Sequence, residues 1–104
     1  YAGMLVTAGF QMPQDLSLAA VRKMYADFYR DQAFITVVQN EELPKMLGSN
    51  TLAGKDSLRI YVCGNEDRFT VSAQFDNLGK GASGAAIENM NIAMGLDPET
   101  GLEL

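Results

Sequence analysis

Leu58, Ile60 and Val62 alternate with Arg59, Tyr61 and Cys63, and Phe69, Val71, Ala73 and Phe75 alternate with Thr70, Ser72, Gln74 and Asp76. Between the two runs lies Gly64-Asn65-Glu66-Asp67. Period-two alternation puts one set of side chains on each face of a strand, and a short polar Gly/Asn/Asp loop reverses the chain. The pattern predicts an antiparallel hairpin with one apolar face and one mixed face. A hairpin alone is marginal in water, so the apolar face needs a cover. The chain is thereby constrained to an antiparallel-rich sheet with helices on one side.

The other elements follow from this. Met4 to Phe10 is an apolar, partly β-branched run whose length suits a strand buried on both faces, stopped by Pro13. Leu18, Val21, Tyr25 and Phe28 recur at helical spacing, with Arg22, Lys23, Asp27 and Arg30 mostly opposite. They predict an amphipathic helix over 16–30, capped by Asp15 or Ser17, with Tyr25, Phe28 and Tyr29 in the core. Ala33 to Val38 reads as a second strand, so strand, helix and strand resemble a crossover unit. Residues 39–55 hold Pro44, Gly48, Ser49, Asn50 and Gly54 and read as a long surface loop, with Glu41-Glu42 as a solvated pair. A helix over 82–94 should carry one stripe of Ala86, Ile87, Met90, Ala93 and Met94 toward the sheet and a second strip, Ala85 and Ile92, on the opposite side. Asn89 falls at the margin between the two. The second strip predicts self-association or contact with another domain. The fold class is α+β: an antiparallel-rich mixed sheet covered by helices, one domain over residues 1–104.

Composition excludes more than it selects. The 104 residues are 47% hydrophobic, enough for a real core. The net charge of −5 with no Lys/Arg cluster argues against nucleic acid. No apolar run reaches membrane-spanning length, and there is no signal-peptide pattern. Cys63 is the single cysteine, so no internal disulfide forms, and no neighbouring Lys or His activates its thiol. There is no histidine, so Ser-His and Cys-His catalysis cannot be complete here, and no metal site is expected. The chain opens in mid-pattern at Tyr1, as a piece of a longer protein would.

Gly79, Gly81 and Gly84 spell G-x-G-x-x-G between a strand and a helix, the spacing of a phosphate loop. The expected sequel is missing. No strand follows the helix, Glu99 lies in a Pro/Gly turn, and no Gly-Lys-Ser/Thr is present. The glycines therefore read as a tight strand-to-helix turn with close helix–sheet packing.

Asn77-Leu78-Gly79-Lys80-Gly81-Ala82-Ser83-Gly84, then Asn89-Met90-Asn91, Gly95-Leu96 and Thr100-Gly101-Leu102, resembles the C-terminal signature of the N-acetyl-gamma-glutamyl-phosphate reductases. Gly3-Met4-Leu5-Val6-Thr7, the helix before Phe34, and Gly48-Ser49-Asn50 after Leu43-Pro44 fit in the same order. The resemblance implies a two-domain, NADP-dependent, cytoplasmic enzyme of arginine biosynthesis. Its second domain is like the C-terminal domain of glyceraldehyde-3-phosphate dehydrogenase, and this chain resembles most of that domain, about the last third of the whole. It implies as partners a small-molecule substrate, the protein's own nucleotide-binding domain and further copies of the chain. The family's catalytic cysteine and histidine motifs lie upstream of anything present, so no catalytic residue is assigned and the chain alone should be inactive. The resemblance assigns cofactor contact to Asn89 on the glycine-loop helix, and more weakly to Ser83 and Gly84, with Ser49 and Asn50 on the substrate side. Ala85 and Glu88 stand where the family usually has glutamines. Two other readings stay open: a related aspartate-semialdehyde dehydrogenase domain, and a stand-alone oligomerisation or small-molecule-binding module without chemistry.

Overall fold

The predicted hairpin is the centre of the sheet. In the computed structural model, which describes residues 2–104, β3 (Leu58–Gly64) pairs antiparallel with β4 (Arg68–Asp76) from Leu58↔Phe75 to Gly64↔Phe69. β1 (Gly3–Gln11) pairs antiparallel with the other edge of β4, from Gly3↔Asp76 to Gln11↔Arg68. β2 (Ile35–Val37) pairs parallel with β3, so the sheet order is β1-β4-β3-β2. β1 and β2 therefore run in the same direction at opposite edges. The helix between them is a crossover that spans two strands, as the strand-helix-strand pattern implied.

That helix, α1 (Leu18–Phe28), starts at Ser17, whose Oγ accepts the Ala20 N–H at 3.1 Å. Val21 enters a core with Val37, Ile60 and Val62, bordered by Leu18, Tyr25, Tyr29, Phe69 and Val71. Ile60, Val62, Phe69 and Val71 belong to the apolar set of the hairpin alternation, so α1 covers the predicted face. Phe28 is the exception among the expected core aromatics: it is exposed at the end of α1 and meets Tyr29 edge-on. Gly48 and the 3₁₀ turn Ser49–Leu52 lie on the other face. There the Tyr61 hydroxyl donates to Gln74 Oε1 at 2.8 Å and Gln74 Nε2 donates to the Gly48 carbonyl.

Two expectations are corrected. β1 is an edge strand, exposed over most of its length, and not a strand buried on both faces: Val6 is 51% and Phe10 45% exposed. The reason is lateral placement, since α1 sits over β2 and β3 and leaves β1 uncovered. The second correction concerns the last helix. The turn Gly79–Ser83 is π-helical and leads into α2 (Gly84–Ala93), which packs on that turn and not on the sheet. Its inward side is Gly84, Glu88 and Asn91, with Ile87 half-buried; Ala86, Met90, Ala93 and Met94 of the expected sheet-facing stripe are exposed. The radius of gyration is 14.9 Å, against about 13 Å for a compact domain of this length. The excess fits an element that projects.

Candidate functional site

β4 ends at Asp76, and the glycine loop is built around that side chain. Asp76 Oδ1 accepts the N–H groups of Leu78 at 2.7 Å and Gly79 at 2.8 Å, an Asx-type turn. Oδ2 accepts the Gly54 N–H at 2.6 Å. The carboxylate is buried, and these donors, Gly54 first and then Gly79 and Leu78, hold its pKa below the ordinary carboxylate range. The Leu78 and Gly79 amides at the start of the glycine loop are thus already bound to an internal anion. The loop's one cation is internal as well: Lys80 pairs with Glu88 of α2 and lies over the Phe34 ring, 4.8 Å from its centroid.

Ser83 and Gly84 are also engaged within the chain. Ser83 donates its N–H at 3.0 Å and its hydroxyl at 2.7 Å to the Leu78 carbonyl. Gly84 is buried and donates its N–H to the Gly79 carbonyl. A Cβ on Gly84 would land on Asp56 Oδ1 and come within 2.8 Å of the Gly79 carbonyl; one on Gly79 would come within 2.5 Å of the Lys55 carbonyl. Both glycines are required by close approach, as the tight-turn reading expects.

α2 presents its other side outward. Met90, Ile92 and Met94 are 52%, 56% and 65% exposed, and Ala86 and Ala93 are exposed with them. At 100° per residue these side chains and Ala85 span an arc in which Asn89 is the only polar residue. Asn89 is exposed and lies within that arc. It stands toward the middle of an otherwise apolar arc, a sharper position than the margin expected between two strips.

Ser49 and Asn50 sit far from this helix in sequence and serve the sheet. Asn50 Oδ1 accepts the Gly3 N–H at 3.1 Å, which ties the loop to the start of β1. Ser49 is exposed, and its backbone carbonyl packs where a side chain at Gly3 would be. Four residues that carry the local structure were not singled out from sequence. Asp76 had a readable signal, an Asp before an Asn-Leu-Gly turn. Lys80, Asp56 and Asn91 had none, because their partners are distant. Asp56 exchanges backbone and side-chain hydrogen bonds with Glu103, and buried Asn91 donates to the carbonyls of Pro98 at 3.0 Å and Thr100 at 2.9 Å. Among the described residues, no three His, Cys, Asp or Glu side chains gather to hold a metal, and no helix is long and apolar enough to cross a membrane.

Comparison with known proteins identifies relatives of this chain. Residues 1–77 match the family model described as semialdehyde dehydrogenase, dimerisation domain. The chain is 45% identical to proteins named N-acetyl-gamma-glutamyl-phosphate reductase from Brucella ovis, Brucella canis and Brucella suis, over 83 residues that cover 76% of this chain. The match spans 27% of the length of those relatives. A four-stranded mixed sheet with two helices is the α+β, glyceraldehyde-3-phosphate-dehydrogenase-like fold that the sequence resemblance implied, and the chain belongs to the semialdehyde dehydrogenase dimerisation-domain family.

Proposed function

We infer that this chain is the dimerisation-domain portion of an NADP-dependent reductase that converts N-acetylglutamyl phosphate to N-acetylglutamate semialdehyde, a cytoplasmic step of arginine biosynthesis. The observation that carries the reading is α2. It is an exposed apolar helix face with one amide at its middle. Large exposed apolar patches mark docking surfaces, and a single polar group within one fixes orientation. The partner that fits is the enzyme's own nucleotide-binding domain. Asn89 would then meet the nicotinamide end of the cofactor, where a side-chain amide both donates to and accepts from a carboxamide. The bound dinucleotide supplies the hydride.

The phosphates belong elsewhere. With Asp76 on the Leu78 and Gly79 amides and Glu88 on Lys80, this loop has two of its amides and its one cation already engaged within the chain. Ser83 and Gly84, the weaker cofactor candidates, shape the turn that aims α2. Ser49 and Asn50 are proposed on the substrate side, Ser49 by its exposure and Asn50 as the residue that anchors the loop. The names of the relatives favour N-acetylglutamyl phosphate over an aspartyl phosphate as the substrate class.

Self-association is assigned to β1. The family match ends at residue 77, before α2, and Leu5, Val6 and Phe10 are the exposed apolar residues of β1 within it. This leaves the α2 face for the nucleotide-binding domain. In the full-length reductase containing this chain, Asn89→Ala should raise the KM for NADPH about tenfold, with a smaller change in the KM for the acyl phosphate. Equal kinetics in the variant and the parent would remove Asn89 from the cofactor side.

A further inference from the structure

Lys80 has an unusual setting for the lysine of a glycine loop. Its side chain and that of Glu88 are only 14% and 17% exposed. The ammonium lies against the Phe34 ring, and Phe34 is buried just before β2. The contact therefore joins three segments: the π-helical turn, the second turn of α2, and the sheet body. α2 does not pack on the sheet, so its aim depends on the few links it has. Asn91 holds it to the C-terminal tail and Gly84 to the loop at Asp56. Lys80–Glu88 is the charged link, and it joins α2 to the segment that enters β2.

The link also has a direction. Glu88 and Asn89 are neighbours, so their side chains leave the helix about 100° apart. With Glu88 drawn inward to Lys80, Asn89 is turned outward, among Ala85, Ala86 and Ala93. We propose that Lys80 is a positioning residue: clamped by Phe34 and Glu88, it fixes the roll of α2 and so holds Asn89 at the middle of the docking face. The proposal rests on the reading that α2 docks on the nucleotide-binding domain with Asn89 toward the cofactor. A neutral amide at position 88 could keep a hydrogen bond to Lys80. The carboxylate makes it a largely buried ion pair, and losing one partner leaves the other charge stranded.

The test uses the full-length reductase containing this chain, with Lys80→Met, Glu88→Gln, the exchanged pair Lys80→Glu/Glu88→Lys, and Asn89→Ala. Lys80→Met should speed hydrogen exchange of the α2 amides about tenfold while β3 and β4 keep their protection, and should raise the KM for NADPH about fivefold with kcat within about twofold. Glu88→Gln should loosen α2 less, and the exchanged pair, which restores the ion pair but not the ammonium–Phe34 contact, should recover part of both readouts. Retained protection in β3 and β4 separates a loosened helix from an unfolded protein. If protection is lost in Lys80→Met, Glu88→Gln and the exchanged pair decide. The positioning role is overturned if α2 exchange is unchanged in the variants that stay folded, or if the exchanged pair leaves the KM as high as Lys80→Met does. A KM raised by Asn89→Ala but not by Lys80→Met overturns the positioning role alone. A KM unchanged by Asn89→Ala overturns the docking reading beneath it.

Discussion

Asp76 accepts N–H groups from Gly54, Leu78 and Gly79, which belong to two separate segments, and so closes the loop before β3 onto the loop after β4. Its pKa lies below the ordinary carboxylate value because those donors favour the charged form. A carboxylate with a depressed native pKa adds stability above its unfolded pKa and loses it as pH falls through the native one. The parent chain should therefore lose stability below about pH 4, in part through this group. Asp76→Asn should lower the Tm at pH 7 by several degrees and flatten the acid limb of the Tm–pH curve. Thermal melts between about pH 2 and 7 check this, and a variant whose curve runs parallel to the parent's would exclude the role. The Asp27 contacts with Lys23 and Arg30 also lower a carboxylate pKa, but they are exposed at the C-terminal end of α1 and just beyond it, and contribute little.

At the scale of elements, Gly9 of β1 and Gly84 of α2 behave oppositely. A Cβ on Gly9 meets nothing within 4 Å, and glycine in a strand costs about 0.5–1 kcal/mol relative to alanine. Gly9→Ala should be neutral or stabilising by up to that amount. Helix propensity alone would predict a gain of similar size for Gly84→Ala. The new methyl would instead press on the Gly79 carbonyl and on Asp56, and a backbone clash in a packed turn costs about 1–3 kcal/mol. The clash wins, so Gly84→Ala should be destabilising by about 1–2 kcal/mol in urea titrations, where a gain would show that the turn can yield. The hairpin and α1 were readable because period-two and period-3.6 patterns coincide with what is buried. α2 was readable as a helix but not in its orientation. Its buried side holds Gly84, Glu88 and Asn91, and each is buried only because of a partner elsewhere in the chain: Asp56, Lys80, and the carbonyls of Pro98 and Thr100.

For the whole molecule, the two exposed apolar surfaces have separate assignments. If β1 carries self-association, Val6→Glu should weaken it about tenfold by sedimentation, while Met90→Glu leaves it unchanged. The reverse result would move the dimer contact to α2. The 104-residue chain by itself should show no reductase activity with N-acetylglutamyl phosphate and NADPH, since it holds no histidine and its one cysteine, Cys63, is exposed with no activating neighbour in sequence. Measurable turnover would overturn the assignment of catalysis to other parts of the enzyme.

The sequence by itself determined the strands, the covering helix, the close turn at Gly79 and Gly84, and the family, because these depend on local periodicity and on residues adjacent in the chain. It took long-range contacts to make β1 an exposed edge, to put Asp76 on the Leu78 and Gly79 amides and Glu88 on Lys80, and to turn the apolar side of α2 outward around Asn89. Those outcomes depend on which distant groups meet. A G-x-G-x-x-G spacing can place amides in a loop, but the carboxylate they bind is chosen by the fold.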